Sequence, residues 1–203
     1  MNNPSPETLK RIRQCAAEEF AEKGFRGASL RNIVKSAGVT TGAFYGYYES
    51  KEQLFGALVG DHADRLTEIF VNGQKSLLEN ISRGDKAGFM EINSARLTAM
   101  TELSCNERGL TKLLLISADG TSYEGFVHRI AEAETQATCR LRANMRSGNS
   151  TQLDPYFEHI IISGMLSSMF EPVIHGASED RCISLAEELA DFYGGGLCSL
   201  MFT

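Results

Sequence analysis

The stretch from Ser29 to Lys51, SLRNIVKSAGVTTGAFYGYYESK, admits few folds, because it sets two short helices, a sharp turn and the start of a third helix within 23 residues. Ser29 can accept a hydrogen bond from the free amides of a helix whose apolar residues, Leu30, Ile33, Val34 and Ala37, recur at helical spacing. Gly38 ends that helix, since glycine enters the left-handed conformation at little cost, and the chain restarts after Val39 with Thr40 or Thr41 as the next cap. The restarted helix runs from Thr41 to Tyr47; its small leading residues, Gly42 and Ala43, let the backbone approach base edges, while Phe44 turns back toward Ile33 and Val39. Ser50 and Gln53 stand three apart as a capping box, so a long helix begins near Lys51, and an ammonium beside free helix amides suits a phosphate oxygen. Helices at this spacing form a helix-turn-helix, a device that holds DNA.

A preceding helix fits the same reading. From Glu7 to Lys23, Leu9, Ile12, Ala16 and Phe20 make one apolar stripe, with Pro6 at the first helical position and Gly24 at the exit. The net charge of −6 conceals a division: residues 1–51 hold eight Lys/Arg against five Asp/Glu, +3, and residues 52–203 hold twelve against twenty-one, −9. The basic part is the part with the motif, and an acidic remainder helps to turn the basic face toward phosphates. A chain of 203 residues exceeds the span of one small motif and accommodates a second helical domain, at about 100 to 200 residues per domain. The expected division is 1–50 and 51–203, with a long helix from Lys51 to about Ile81 serving both. The amino terminus is polar and apolar runs such as Ile160–Ile162 fall far short of the roughly 20 residues that span a bilayer, so a cytoplasmic protein without membrane contact is expected.

Five cysteines at 15, 105, 139, 182 and 198 are odd in number and widely spaced, which argues against a disulfide framework or a zinc knuckle. Cys105, after Ser104 near a polar helix end, is the one candidate for redox sensing, though nothing in its sequence neighbourhood lowers a thiol pKa. His62, His128, His159 and His175 lack the short spacing of a helical metal site, so solvated or core histidines are expected and no metal. No phosphate loop, nucleophile elbow, HExxH or paired acid motif is present, so neither an enzyme nor a cofactor is expected.

Beyond residue 82 the pattern is helical throughout. Turn signals at Gly84-Asp85, Asn106–Gly109, Asp119-Gly120, Ser147–Ser150 and His175–Ser178 separate helices over 86–104, 107–118, 122–146, 154–174 and 179–201, for nine helices in an all-α chain. The last two mix apolar residues with small ones, Ser163, Gly164, Ser167 and Ser168, then Gly194, Gly195 and Gly196, and are read as a dimer surface, against a frayed end as the competing reading. Three glycines within a helix cost about 1 kcal/mol each relative to alanine, so either the helix breaks or close packing offsets the loss. Gly56 and Gly60, one turn apart on the long helix, either let it slide against the first helix or permit close packing. Dimerisation also follows from the reach of one short recognition helix, because two-fold pairing doubles the contact and implies a near-palindromic operator.

Ser29, Ile33, Ala37, Gly38, Val39, Thr40, Gly42, Phe44, Tyr45, Tyr48, Ser50, Lys51 and Leu54 stand in the register of the DNA-binding core of the tetracycline-repressor (TetR) family of bacterial transcriptional regulators, which residues 5 to 60 resemble. Tyr48 stands where the family more often has phenylalanine, and Gly46 where it often has a bulky residue. The resemblance implies an amino-terminal three-helix DNA-binding domain and a carboxyl-terminal helical ligand-binding and dimerisation domain. Matched to the family, Arg31, Thr41, Gly42, Ala43 and Tyr47 face the groove of double-stranded operator DNA, and Thr40, Tyr45 and Lys51 position phosphates. It also implies a small-molecule effector in the second domain, for which Phe70, Phe89, Met90, Leu97, Met100, Leu114, Phe126, Met165 and Met169 are candidate lining, each of which serves equally as core. The function implied is a homodimeric repressor released from DNA by that effector; a redox- or protein-responsive regulator and an architectural DNA binder without effector are the alternatives.

Overall fold

In a computed structural model, which describes residues 5–144 and 154–202, the chain forms nine helices and no strand among the described residues. They are α1 (Pro6–Gly27), α2 (Leu30–Ser36), α3 (Thr41–Phe44), α4 (Lys51–Arg83), α5 (Lys86–Asn106), α6 (Arg108–Ile116), α7 (Phe126–Asn144), α8 (Pro155–Ile174) and α9 (Glu179–Met201). Two compact units result, the first reaching Ala63 and adding Gly109–Phe126, the second taking Asp64–Arg108 and the chain from Val127 on. The sequence places a boundary at 50/51, where α4 starts; the compact units instead divide α4 after Ala63.

The first unit is built on α1, which buries Ile12, Ala16 and Phe20 and kinks at Gly24, the exit read from the sequence, where φ is 65°. Phe20, Phe25 and Phe55 form a ring cluster with centroids 5.1–5.8 Å apart. Residues 109–126 belong to the same core. The Phe25 amide donates to the Ser117 carbonyl (2.8 Å), the Ser122 amide to Glu52 Oε1 (3.1 Å), and His62 Nε2 meets Thr111 Oγ1 at 2.9 Å with both residues buried. Gly56 and Gly60 serve close packing, and their partner is Tyr123 rather than α1: a Cβ on Gly60 would stand 2.9 Å from the Tyr123 hydroxyl. The helix expected over 122–146 starts at Phe126, because Glu124 accepts from the Gly120 amide (2.8 Å) and Gly120 and Gly125 both take positive φ, closing a turn. Its expected end and the Ser147–Ser150 turn lie outside the described residues.

In the second unit α5 packs on α8 and α9, which pack on each other. Leu77, Phe89 and Leu197 centre one apolar cluster. α9 runs unbroken through Gly194–Gly196; a Cβ on the buried Gly194 would stand 2.8 Å from Met90 Sδ, whereas Gly195 and Gly196 face open space. His128 on α7 and His159 on α8 share a hydrogen bond (3.0 Å), a pairing the sequence spacing does not reveal. No described helix is long and apolar enough to cross a membrane.

Candidate nucleic-acid interface

The turn between α2 and α3 has the geometry its glycine requires. Gly38 takes φ 64°, its amide donates to the Lys35 carbonyl (3.2 Å) and the next amide, of Val39, to Val34 (3.0 Å), the paired bonds of a Schellman ending. Ser29 is extended as an N-cap should be, but its side chain makes no capping bond. Glu19 of α1 takes over: its Oε1 accepts from the Ser29 amide (3.0 Å) and from Asn32 Nδ2 (3.2 Å), with Lys23 Nζ 2.9 Å from Oε2. A carboxylate at a helix amino terminus is favoured by the dipole there, and these donors, the Ser29 amide foremost, hold the Glu19 carboxyl below its ordinary 4.5. Glu19 was not legible as a cap because it lies ten residues upstream.

Of the two possible caps for α3, Thr40 is used, its hydroxyl accepting from the Ala43 amide at 3.1 Å. The expected helix Thr41–Tyr47 is regular only to Phe44; beyond it the Gly46 and Tyr47 amides bond three residues back, to Ala43 and Phe44, in a tightened turn. Phe44 is fully buried and Tyr48 nearly so, whereas Arg31, Thr40, Thr41, Gly42, Ala43 and Tyr45 are exposed, Tyr45 to 56%. A Cβ on Gly42 would meet nothing nearer than Thr40 Oγ1 at 4.0 Å, so packing within the chain gives no reason for glycine there. Half-buried Tyr47 accepts from the Ser5 amide (2.9 Å), and Tyr48 from Arg13 Nε (2.8 Å), which ties the N-cap and the first half of α1 to this segment's flank. At the α4 start, Ser50 Oγ accepts from the Gln53 amide as the capping box requires, and Gln53 Oε1 reaches back to the Glu49 amide.

Lys51 departs from its expected role. Its ammonium points into the unit, donating to the Phe25 (2.6 Å) and Ala28 (2.9 Å) carbonyls and lying 4.4 Å from the Phe25 ring centre, and burial pushes its pKa below the ordinary 10.5. The reason is that the Gly24 kink leaves carbonyls at the end of α1 without helical partners, and a lysine is the donor within reach.

The nine candidate lining residues divide between the two units. Leu114 and Phe126 belong to the first unit and the other seven to the second, where Phe70, Leu97, Met100, Met165 and Met169 are buried and Met90 is half-buried. Phe89 lines a narrow crevice with Leu77, Asn93, Arg96 and Glu134. As for redox sensing, burial and then the adjacent Cys182 push the Cys105 thiol up to about 11, so little thiolate exists at neutral pH.

Residues 12–58 match the family described as bacterial regulatory proteins, tetR family. The chain is 39% identical over 80 residues to the uncharacterized HTH-type transcriptional regulator YdgC of Bacillus subtilis, covering 39% of this chain and 40% of that one. It is 33% identical over 88 residues to the HTH-type transcriptional repressor AcnR of Corynebacterium glutamicum, covering 41% and 45%. The chain thus spans less than half the length of these curated relatives. A member of the TetR transcriptional regulator family from Streptomyces coelicolor has a similar fold, with a TM-score of 0.57 at 20% identity, covering 97% of this chain and 92% of that one.

Proposed function

We propose, from the premise that this chain belongs to the tetR family of bacterial regulatory proteins and is a helix-turn-helix transcriptional regulator rather than an enzyme, that it represses transcription as a homodimer on a near-palindromic operator and is released by a small-molecule effector. The observation that carries the reading is the exposed run Thr40–Ala43 with Tyr45, held by a Schellman turn on one side and a capping box on the other, with a glycine that packing within the chain does not require. Thr41, Gly42, Ala43, Arg31 and Tyr47 face the groove, and Thr40 and Tyr45 position phosphates; Lys51 serves the same register from inside. A helix this short reads few base pairs, so two copies are required. For the second copy, α8 exposes Tyr156 (74%) and Ile160 (50%), α9 exposes Phe192 (74%), and Gly195 and Gly196 leave open space beside it. The effector binds in the second unit and shifts α4, changing the separation of the two recognition helices so that both no longer enter successive major grooves. Repression is favoured because one matched relative, AcnR, is a repressor.

Fluorescence anisotropy on duplexes tiled across the intergenic DNA beside the gene, against scrambled duplexes and across a salt series, tests this. One duplex bound selectively at near-physiological salt is the expected result. Equal, steeply salt-dependent binding to every duplex overturns it in favour of an architectural binder, and a monomeric mass at micromolar concentration overturns the homodimer.

A further inference from the structure

The second unit buries an ion pair. Arg96 on α5 is 4% exposed and Glu134 on α7 is 8% exposed, joined by Nη1–Oε2 (3.1 Å) and Nη2–Oε1 (3.3 Å). Nη2 also donates to Asn93 Oδ1 (3.3 Å), and the guanidinium lies 4.4 Å from the centre of the Phe70 ring on α4. α4 makes room for it: a Cβ on Gly73 would stand 2.8 Å from Arg96 Cδ. Arg96 Nε is buried and has no hydrogen-bond partner among the described residues. A buried ion pair contributes little net stability, because desolvation offsets the attraction, and a buried donor left unsatisfied lowers stability further.

Both line a crevice of about 10 Å³, room for roughly one water, whose other walls are largely apolar: Leu77, Ile81, Phe89, Ile162 and Leu197. Gln74 and Leu78 border it and also border a groove of about 370 Å³ along α4, a volume in the range that small ligands occupy. Gln74 is held over the crevice by one long bond, 3.4 Å, to the Glu134 carbonyl. Both linings share Gln74 and Leu78, and a rotation of these side chains would join the two spaces.

We propose that this crevice is the polar end of the effector site and that its ligand is an uncharged molecule with an apolar body and one carbonyl-type acceptor, taken by Arg96 Nε. The proposal rests on the small-molecule reading given above and adds the ligand's chemistry. Glu134 already neutralises Arg96, so an anionic head must either expel that carboxylate or enter with its charge unbalanced in a dry site. A ketone or ester oxygen fills the vacant donor and leaves the pair intact. The walls supply no second charge for a cationic head: Gln74, Asn93 and Thr138 complete the polar lining.

Isothermal titration calorimetry of the full-length protein with 2-nonanone, nonanoate and nonylamine tests the class. Binding of 2-nonanone at least tenfold tighter than the other two is expected, weakened tenfold or more in Arg96→Met and in Gly73→Ala, which displaces Arg96 without altering charge. Glu134→Gln should change ketone affinity less than threefold and raise nonanoate affinity at least tenfold. Preference of the wild-type protein for nonanoate or nonylamine, ketone binding indifferent to both Arg96→Met and Gly73→Ala, or no ketone binding overturns the proposal. Operator binding by the same preparations, and its loss to any other effector, reads the regulator function separately, so failure at this crevice is distinguishable from failure of that function.

Discussion

Lys51 and Gly42 show how differently two residues of one motif are employed. Lys51 holds the carbonyls of Phe25 and Ala28, so Lys51→Met should lower stability by about 1–2 kcal/mol, measured as a fall in Tm, while the salt dependence of DNA binding keeps its slope. A lysine that neutralised a phosphate would reduce that slope by about one, and such a reduction would remove the internal role assigned here. Gly42 makes the opposite case. With open space around its absent Cβ, Gly42→Ala should leave Tm unchanged or raise it, since alanine favours a helix by up to about 1 kcal/mol, and should weaken operator binding in anisotropy titrations. Equal affinity would mean that no surface closes on that position.

At the level of elements, α2 and α9 each depend on something outside themselves. α2 begins on the Glu19 carboxylate, whose folded pKa lies below its unfolded one. Its stabilising contribution is therefore full above the unfolded value of 4.5 and is lost as pH falls through the folded value. Thermal melts at a series of pH values from 6 downward should show a steeper acid-side fall for the wild-type protein than for Glu19→Gln. α9 carries two glycines, Gly195 and Gly196, beside which an added Cβ would meet nothing within 4 Å. Gly195→Ala with Gly196→Ala should raise helix content and monomer stability by about 1 kcal/mol per site, and should weaken self-association at least tenfold in sedimentation equilibrium, because added methyl groups keep a second α9 away. Unchanged association would place the dimer contact elsewhere.

Across the whole molecule, sequence order and compact unit do not coincide. The first unit is completed by residues 109–126, which bring Ser117, Ser122 and Tyr123 to Phe25, Glu52, Phe55, Gly56 and Gly60. Tyr123→Ala should therefore lower the Tm of the first unit, by a destabilisation of about 2 kcal/mol, although Tyr123 lies more than 60 residues beyond the two glycines it packs on. Circular dichroism melts with a DNA-binding readout at each temperature would register this. An unshifted melt would show that residues 1–63 stand without that segment.

What the amino-acid sequence determined by itself is whatever depends on neighbours within a turn or two. The nine helices, the left-handed Gly38, the exit at Gly24 and the Ser50–Gln53 box follow from periodicity and from the conformational needs of single residues, and their register carried the family resemblance with it. The tertiary structure alone decided which partner each group meets. Glu19 replaced the Ser29 hydroxyl at the start of α2, Lys51 turned inward, Tyr123 filled the notch of Gly56 and Gly60, and Arg96 met Glu134 across 38 residues. Hydrogen bonds and ion pairs act over about 3 Å in space and carry no mark of separation along the chain. Local pattern therefore predicts the elements, and only their packing selects which donor finds which acceptor.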